Sequence, residues 1–308
     1  MRGAQRVASI LSICSLLGLG AAMASPGFDD ESAYQFTPAI AFSRIPLPEV
    51  TVGIADVAEL RGHFTEHGYT LDQVRYGAGE VPRLLLANLP VDLTDIKTIE
   101  VRKALFIQAI LPLILRANED IAADRERLQD LARNNNWSDT DAAWLAQLAL
   151  RYGTEPGEID ELLRRVDVIP PSLALAQAAE ESGWGTSRFA VEGNAVFGQW
   201  TFDPDKGLVP IYRNDGAQHL VRSFEGLLAS VAGYMRNLNS HDAYAAFRNR
   251  RKQMRDDIGA LDAALLANTL LYYSEGRRDY VRKIRDIIDG NELTAFDDAR
   301  LKPESRFN

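Results

Sequence analysis

Cysteine is almost absent from this chain of 308 residues, because the only one, Cys14, lies in an apolar stretch near the amino terminus. If that stretch is removed as a signal peptide, the mature protein has no thiol group. Disulfide bonds, cysteine nucleophiles and thiolate metal sites are then excluded. A protein without thiols suits an oxidising compartment such as the bacterial envelope.

Long apolar segments are also scarce. Residues 1–24 combine a basic start, MRGAQR, with an apolar run and the small-residue site Ala22-Met23-Ala24, an order that predicts a signal peptide. We therefore expect export to the periplasm or cell envelope. The second run, ALFIQAILPLIL at 104–115, has only twelve residues and contains Pro112, so it predicts a buried core helix. No integral membrane span is expected in the mature protein.

Positive charge is in deficit, with 34 lysines and arginines against 43 aspartates and glutamates and a net charge of -9. An acidic chain argues against a nucleic-acid partner. The basic run RNRRKQMR at 248–255 is the exception, and we interpret it as a solvated helix face rather than a polyanion site.

The pattern of apolar residues and turn formers predicts a mainly helical α+β protein. Residues 25–79 are expected to be a loosely ordered segment with one short helix over 54–67, and residues 80–93 an extended strap. Helical spacing predicts a long helix over 97–134, then helices at 139–151 behind Ser138, at 157–166 and from Pro171. Two or three short strands over 193–224 predict a small antiparallel β lobe, so that the molecule has two lobes with a cleft between them. Helices are expected again at 224–238 behind Ser223, at 242–255, 260–272 and 277–289, before a tail over 291–308.

The stretch AQAAEESGWGTSRFA at 176–190 places Glu181 in the last turn of a helix that stops at Gly183. The negative end of the helix dipole and apolar neighbours such as Trp184 both disfavour ionisation, so the pKa of Glu181 is expected to be raised. A carboxyl group that keeps its proton near neutral pH can protonate the leaving oxygen of a glycosidic bond. By spacing alone, however, two glutamates before a glycine are also typical of a solvated helix end.

The whole segment PPSLALAQAAEESGWGTSRFAVEGNAVFGQW at 170–200 resembles the signature of the bacterial glucosaminidase domain, glycoside hydrolase family 73. Within that family it is similar to the Bax-type branch, related to the flagellar and autolysin hydrolases. The stretches VPRLLLANLP, ILPLILRANEDI, YMRNLNSHDAY and YYSEG extend the resemblance over about residues 80–290. It implies a lysozyme-like fold and hydrolysis of the β-1,4 bond after N-acetylglucosamine in peptidoglycan, with no cofactor or metal.

Carried over to this chain, the resemblance implies that Glu181 is the general acid and that Tyr273 faces it. The late motif reads YSEGRRDY here, whereas many members have Y-A-T-D-P-x-Y. Tyr273 and Tyr280 therefore match the family's motif only in part. Contacts to the glycan are expected from residues in and beside the signature: Gln177, Trp184, Asn194, Phe197, Gly198, Trp200 and Tyr280. The aromatic members, together with Tyr212, are equally suited to core packing and to sugar stacking.

The second catalytic group is left open by the sequence. The β lobe offers several acidic residues without a matching motif: Glu192, Asp203, Asp205, Asp215 and Glu225. The alternative is attack by the N-acetyl group of the substrate itself, which needs one protein acid and a residue such as Tyr273 to orient the acetamido group.

Three other functions remain as alternatives. A lytic transglycosylase would use a single glutamate on a related fold. The pattern H-x-x-E-H in GHFTEHG at 62–68 has the spacing of a zinc metalloprotease, although Gly68 ends the helix at once. A wall-binding protein with an inactive site is the third alternative.

Overall fold

The computed structural model describes residues 51–134, 136–210, 220–271, 273–274 and 277–303. The predicted signal peptide, residues 25–50, Tyr212 and Asp215 lie outside these ranges.

The helices of the described ranges are α1 (Val57–Glu66), α2 (Leu71–Tyr76), α3 (Ile99–Arg133), α4 (Asp139–Tyr152), α5 (Ile159–Arg165), α6 (Pro171–Ser182), α7 (Arg188–Gly193), α8 (Leu227–Ser240), α9 (Ala245–Ile258), α10 (Ala263–Ala267) and α11 (Arg277–Gly290). Short 3-10 helices lie at Val91–Asp95, Pro204–Lys206, Asp242–Tyr244 and Leu293–Phe296. As predicted, Ser138 caps α4, and the carboxylate of Asp141 completes a capping box.

The strands are short: β1 (Glu80–Val81), β2 (Trp200–Thr201), β3 (Gly207–Leu208), β4 (Leu220–Arg222) and β5 (Arg300–Leu301). Strands β2 and β3 both pair with β4 in an antiparallel sheet, and β1 pairs with β5 in parallel. The predicted class, mainly helical α+β with a small antiparallel sheet, is confirmed.

Helix α3 runs through the centre of the helical body and contacts α5, α6 and α8. Every residue of 105–115 except Gln108 is buried, and Pro112 lies inside the helix without ending it. This segment is therefore a core helix, as predicted. Within the described ranges, no helix combines the length and the apolar character needed to cross a membrane.

Helix α6 carries Glu181 at its end and packs against α3, α11 and the 3-10 helix Leu293–Phe296. It begins with Pro171 in its first turn, where the missing N–H costs no hydrogen bond. Its alanines at 174, 176, 178 and 179 are fully buried, because small side chains let the neighbouring helices approach closely. The amide and hydroxyl of Ser172 both donate to Asp297 at 2.8 Å, which satisfies the start of the helix.

Two segments that were expected to be loose or peripheral are part of the folded body. Helices α1 and α2 bury apolar residues such as Leu60 and Phe64, although residues 25–79 were predicted to be loosely ordered. Beyond residue 290, Leu293 and Phe296 are fully buried, and β5 pairs with β1, so this part of the predicted tail is packed. The described body therefore extends beyond residues 80–290 on both sides.

The start of α8 also differs from the prediction. The helix begins at Leu227 with Gly226 as its N-cap, so Ser223 does not cap it. The reason is tertiary, because the amide of Ser223 donates to the carbonyl of Lys206, and the amide of Phe224 donates to that of Gly193. These bonds keep residues 223–224 in the connection that leaves the sheet. Similarly, the helix expected over 260–272 is only Ala263–Ala267.

The basic run on α9 is not a solvated face throughout, so that interpretation was wrong for two of its arginines. Arg248 and Arg251 are buried. The guanidinium of Arg251 donates to the carbonyls of Arg164 and Arg165 at 3.1 Å, which lie at the end of α5, and to Asn239 Oδ1 at 2.7 Å. Arg251 therefore satisfies carbonyls that the helix end leaves free, and joins α5 to α8 and α9.

Candidate active site

The Gly-Trp-Gly sequence after α6 forms a left-handed turn that ends the helix. Gly183, Trp184 and Gly185 have φ values of 59°, 59° and 79°. A Cβ atom on Gly185 would lie 2.9 Å from the side chains of Leu89 and Phe106, so glycine is required there for space as well as for conformation. Trp184 adopts the same region at a cost of about 1 kcal/mol. This turn leaves Glu181 in the last turn of α6.

The carboxyl group of Glu181 is enclosed by the segment that follows α7. Gly198, with φ +60°, approaches so closely that a Cβ atom there would lie 3.2 Å from Glu181 Oε2. Burial is the largest influence and raises the pKa of Glu181 to about 7. The charge of Glu180 raises this pKa further, whereas a hydrogen bond from Tyr280 and the charge of Lys283 lower it. The raised pKa expected from the sequence is thus present, with burial as its main cause.

A line of buried hydrogen bonds ends at Glu181. The hydroxyl of Tyr234 donates to Gln177 Oε1 at 2.7 Å, and Gln177 Nε2 donates to the hydroxyl of Tyr280 at 2.8 Å. The Tyr280 hydroxyl in turn donates to the Glu181 carboxyl. Gln177 and Tyr280 were expected to contact the glycan, but they are 0% and 4% exposed. In this structure Gln177 donates to the Tyr280 hydroxyl, and Tyr280 is the residue of the two that contacts Glu181.

An aromatic cluster surrounds this line. The rings of Phe197 and Tyr234 are stacked with centroids 3.9 Å apart, and those of Tyr273 and Tyr280 are parallel with centroids 5.5 Å apart. The Tyr273 hydroxyl donates to the Phe197 carbonyl at 3.3 Å. Burial and the charge of Glu181 both raise the pKa of Tyr273 well above its ordinary range. Tyr273 therefore lies within electrostatic reach of Glu181.

Three other predicted contact residues are engaged within the protein. Phe197 is 2% exposed, so its ring is not available for sugar stacking. Asn194 ends α7 in a left-handed conformation and donates to the carbonyl of Phe224 at 3.2 Å. The ring of Trp184 packs edge-on against Phe106 and has Lys103 Nζ 4.8 Å from its centroid. Both Asn194 and Trp184 are half-buried. These partners are distant in sequence, so the local motif could not predict them.

Trp200 differs from those three because it is 56% exposed on β2. Phe202, which follows the last residue of β2, is exposed to the same extent. The small sheet therefore presents aromatic surface to solvent.

Among the candidate acidic residues that the structure describes, two form ion pairs and two are exposed. Glu192 pairs with Arg188 at 3.2 Å, and Asp203 pairs with Lys206 at 2.8 Å. The hydrogen bond from Lys206 is the largest cause that lowers the pKa of Asp203. Asp205 and Glu225 are exposed.

The H-x-x-E-H pattern lies at the end of α1, far in sequence from Glu181. His67 is the C-cap residue, and its Nδ1 atom lies 2.9 Å from the carbonyl oxygen of His63. His63 Nδ1 lies 3.9 Å from Glu66 Oε2. In the part of the chain that the structure describes, no three potential ligand side chains are grouped so that they could hold a metal ion.

Sequence reasoning missed Tyr234 and Asp297. Tyr234 is 57 positions from Gln177, and Asp297 is 125 positions from Ser172. Tyr234 opens the stretch YMRNLNSHDAY, but that stretch gave it no role, and no local pattern marks Asp297; each acquires its partner only through tertiary packing.

Comparison with known proteins finds a glycoside hydrolase family that is similar to part of the chain. Residues 157–293 match the model of the Glucosaminidase family, described as mannosyl-glycoprotein endo-beta-N-acetylglucosaminidase. The match covers somewhat less than half of the chain, and similarity to this family supports a glycoside hydrolase.

Among individual proteins, the chain is 33% identical over 185 residues to protein Bax of Escherichia coli strain K12, an alignment that covers 58% of this chain and 66% of Bax. The chain thus spans slightly less than two thirds of that relative. The catalytic domain of the autolysin Auto from Listeria monocytogenes is a structural neighbour with 17% identity and a TM-score of 0.34, covering 56% of this chain and 97% of that domain.

Proposed function

We propose that the protein is an exported peptidoglycan hydrolase, an endo-β-N-acetylglucosaminidase that cleaves the β-1,4 bond after N-acetylglucosamine. The observation that carries the proposal is Glu181, whose pKa burial raises to about 7 within a glucosaminidase-family domain. Peptidoglycan glycan strands are the proposed partner, and the proposal involves no nucleic acid, cofactor or metal.

Glu181 acts as the general acid in this proposal. Below a pH of about 7 its carboxyl group holds a proton, which passes to the glycosidic oxygen as the bond to the anomeric carbon breaks. The carboxylate that remains accepts the hydrogen bond from Tyr280 and lies near Lys283. Both interactions are stronger with the charged form, so they favour completion of the proton transfer.

For the second step we propose that the N-acetyl oxygen of the substrate attacks the anomeric carbon, with Tyr273 orienting the acetamido group. Water then attacks the anomeric carbon, its proton passes to the Glu181 carboxylate, and the cyclic intermediate opens to restore the N-acetyl group. The ion pairs of Glu192 and Asp203 support this route, since both carboxylates are already engaged. The alternative is a carboxylate of the β lobe that acts on the anomeric carbon or on water.

Inhibition by a thiazoline analogue of N-acetylglucosamine separates these two routes. Substrate assistance predicts competitive inhibition at low concentration, because the analogue resembles the cyclic intermediate. A lack of inhibition would favour a second carboxylate.

Mass spectrometry of digested peptidoglycan tests the function itself. Reducing N-acetylglucosamine ends are the expected products, with Glu181→Gln as the inactive control. Anhydro-muramic ends would instead identify a lytic transglycosylase. Binding without soluble fragments would indicate a wall-binding protein, and stoichiometric zinc in the purified protein would favour the metalloprotease.

A further inference from the structure

Three helices contribute one polar side chain each to the buried line below Glu181. Tyr234 lies on α8, Gln177 on α6 and Tyr280 on α11, and all three are at most 4% exposed. The hydrogen bonds run in one direction, from the Tyr234 hydroxyl to Gln177 and from Gln177 to the Tyr280 hydroxyl. A buried polar group costs free energy unless it is hydrogen-bonded, so these three side chains have little freedom to adopt another arrangement.

The direction of the line depends on Tyr234. Within the described ranges, the Tyr234 hydroxyl makes one hydrogen bond, which it donates to Gln177 Oε1. With the carbonyl end of the amide held towards α8, the Nε2 group must face Tyr280, where it donates to the hydroxyl oxygen. The Tyr280 oxygen is then occupied as an acceptor, and its own proton is directed to Glu181.

We propose that Tyr234 is a positioning residue for the catalytic acid, acting through Gln177 to keep the Tyr280 hydroxyl as a donor to Glu181. This inference rests on the proposed function, in which Glu181 is the acid. Without the Tyr234 hydroxyl, the Gln177 amide is free to turn over and accept from Tyr280. Glu181 would then lose a donor that favours its charged form.

The groups that act on Glu181 come from each element around it. They are Glu180 on the same helix, Lys283 and Tyr280 on α11, Tyr273 before α11, and Tyr234 on α8. Lys283 also pairs with Glu180 at 3.0 Å. Tyr234→Phe changes none of the formal charges near neutral pH, so a change in the titration of Glu181 reports on the hydrogen bonds.

The test compares the wild-type protein with Tyr234→Phe in two measurements. One is the pH dependence of kcat/KM on peptidoglycan, and the other is the titration of the Glu181 carboxyl by carbon NMR, assigned from Glu181→Gln. We expect both to move to higher pH by roughly 0.4 to 1 pH unit, the size of one net hydrogen bond. A variant that only loosens the fold would lower activity at all pH values without moving the titration.

Two further variants and a control sharpen the result. In a Tyr280→Phe background, adding Tyr234→Phe should cause no further shift, because the path to Glu181 is already cut. Gln177→Met keeps the side-chain volume but removes the amide that could turn over and accept from Tyr280, so it should leave the titration of Glu181 near that of the wild type. Tyr69→Phe is the matched control, since Tyr69 is 4% exposed and its hydroxyl has no hydrogen-bond partner within the described residues.

The outcomes separate this inference from the proposed function. An unchanged titration in Tyr234→Phe, or a shift of the expected size in Gln177→Met, would overturn the positioning role, even if the wild type cleaves peptidoglycan. An additive shift in the double variant would also overturn it. If the wild type releases no glycan fragments, the proposed function fails, while the NMR titration still decides whether Tyr234 acts on Glu181.

Discussion

Replacing Glu181 by glutamine should have opposite effects on activity and stability. Glutamine has nearly the same shape and can still accept the hydrogen bond from Tyr280, but it has no acidic proton to give. We expect turnover on peptidoglycan to fall by at least about a hundredfold, the low end of what a positioned acid contributes.

The gain in stability follows from the sign of the pKa shift. Burial raises the pKa of Glu181 from 4.5 to about 7 in the folded protein, so the folded state binds the proton more tightly than the unfolded state. The contribution of this group to the free energy of unfolding is therefore greatest below pH 4.5 and is lost as the pH rises to about 7. The full shift corresponds to about 3 kcal/mol, and the partial exposure of the side chain makes this an upper limit.

Urea unfolding of wild type and Glu181→Gln at pH 4 and pH 8 measures this difference. We expect the variant to gain stability relative to the wild type between the two pH values, by about 1 to 3 kcal/mol. Glu180→Gln is the matched control, because the adjacent carboxylate pairs with Lys283 at 3.0 Å, and it should keep activity within a few-fold. The same stability difference at both pH values would refute the assignment of a buried, proton-binding group, and full activity would refute the role of Glu181 as the acid.

The other predictions concern residues around and away from the site. In glycan-release assays, Gly198→Ala should lower activity at least about tenfold, because its Cβ would crowd Glu181 Oε2 at 3.2 Å. Gly259 is the matched control, since it has a similar positive φ and nothing within 4 Å of an added Cβ. Gly259→Ala should therefore lose comparable stability and keep its activity. Asp297→Asn should become more stable relative to the wild type as the pH rises from 4 to 7, since burial raises the pKa of Asp297 to about 6; a constant difference in urea unfolding would contradict this. Arg251→Met should lower the free energy of unfolding by about 3 kcal/mol, because the carbonyl groups that Arg251 pairs with would be left buried without a donor. Lys252 is exposed, so Lys252→Met should stay within about 0.5 kcal/mol of the wild type. Equal losses in the two variants would show that burial of Arg251 is not decisive.

The local features of this protein could be predicted from its sequence because each depends on neighbouring residues. The start of α6 at Pro171 and the capping of α4 by Ser138 follow from the first turn of a helix and its free amides. The stop at Gly183 and Gly185 follows from the positive φ values that a left-handed turn requires. The same reasoning placed an acid with a raised pKa at position 181.

The tertiary structure decided which groups surround that acid. Burial of Glu181 depends on Gly198 and on α11, and the donor at Tyr280 depends on Gln177 and Tyr234, which lie 57 residues apart. A hydrogen bond or a desolvated carboxyl is a property of atoms brought together by packing, and such pairs leave no period or spacing in a single sequence. The sequence by itself thus determined where the acid stands on its helix, and only the packing of α6 against α8 and α11 decided how tightly it holds its proton.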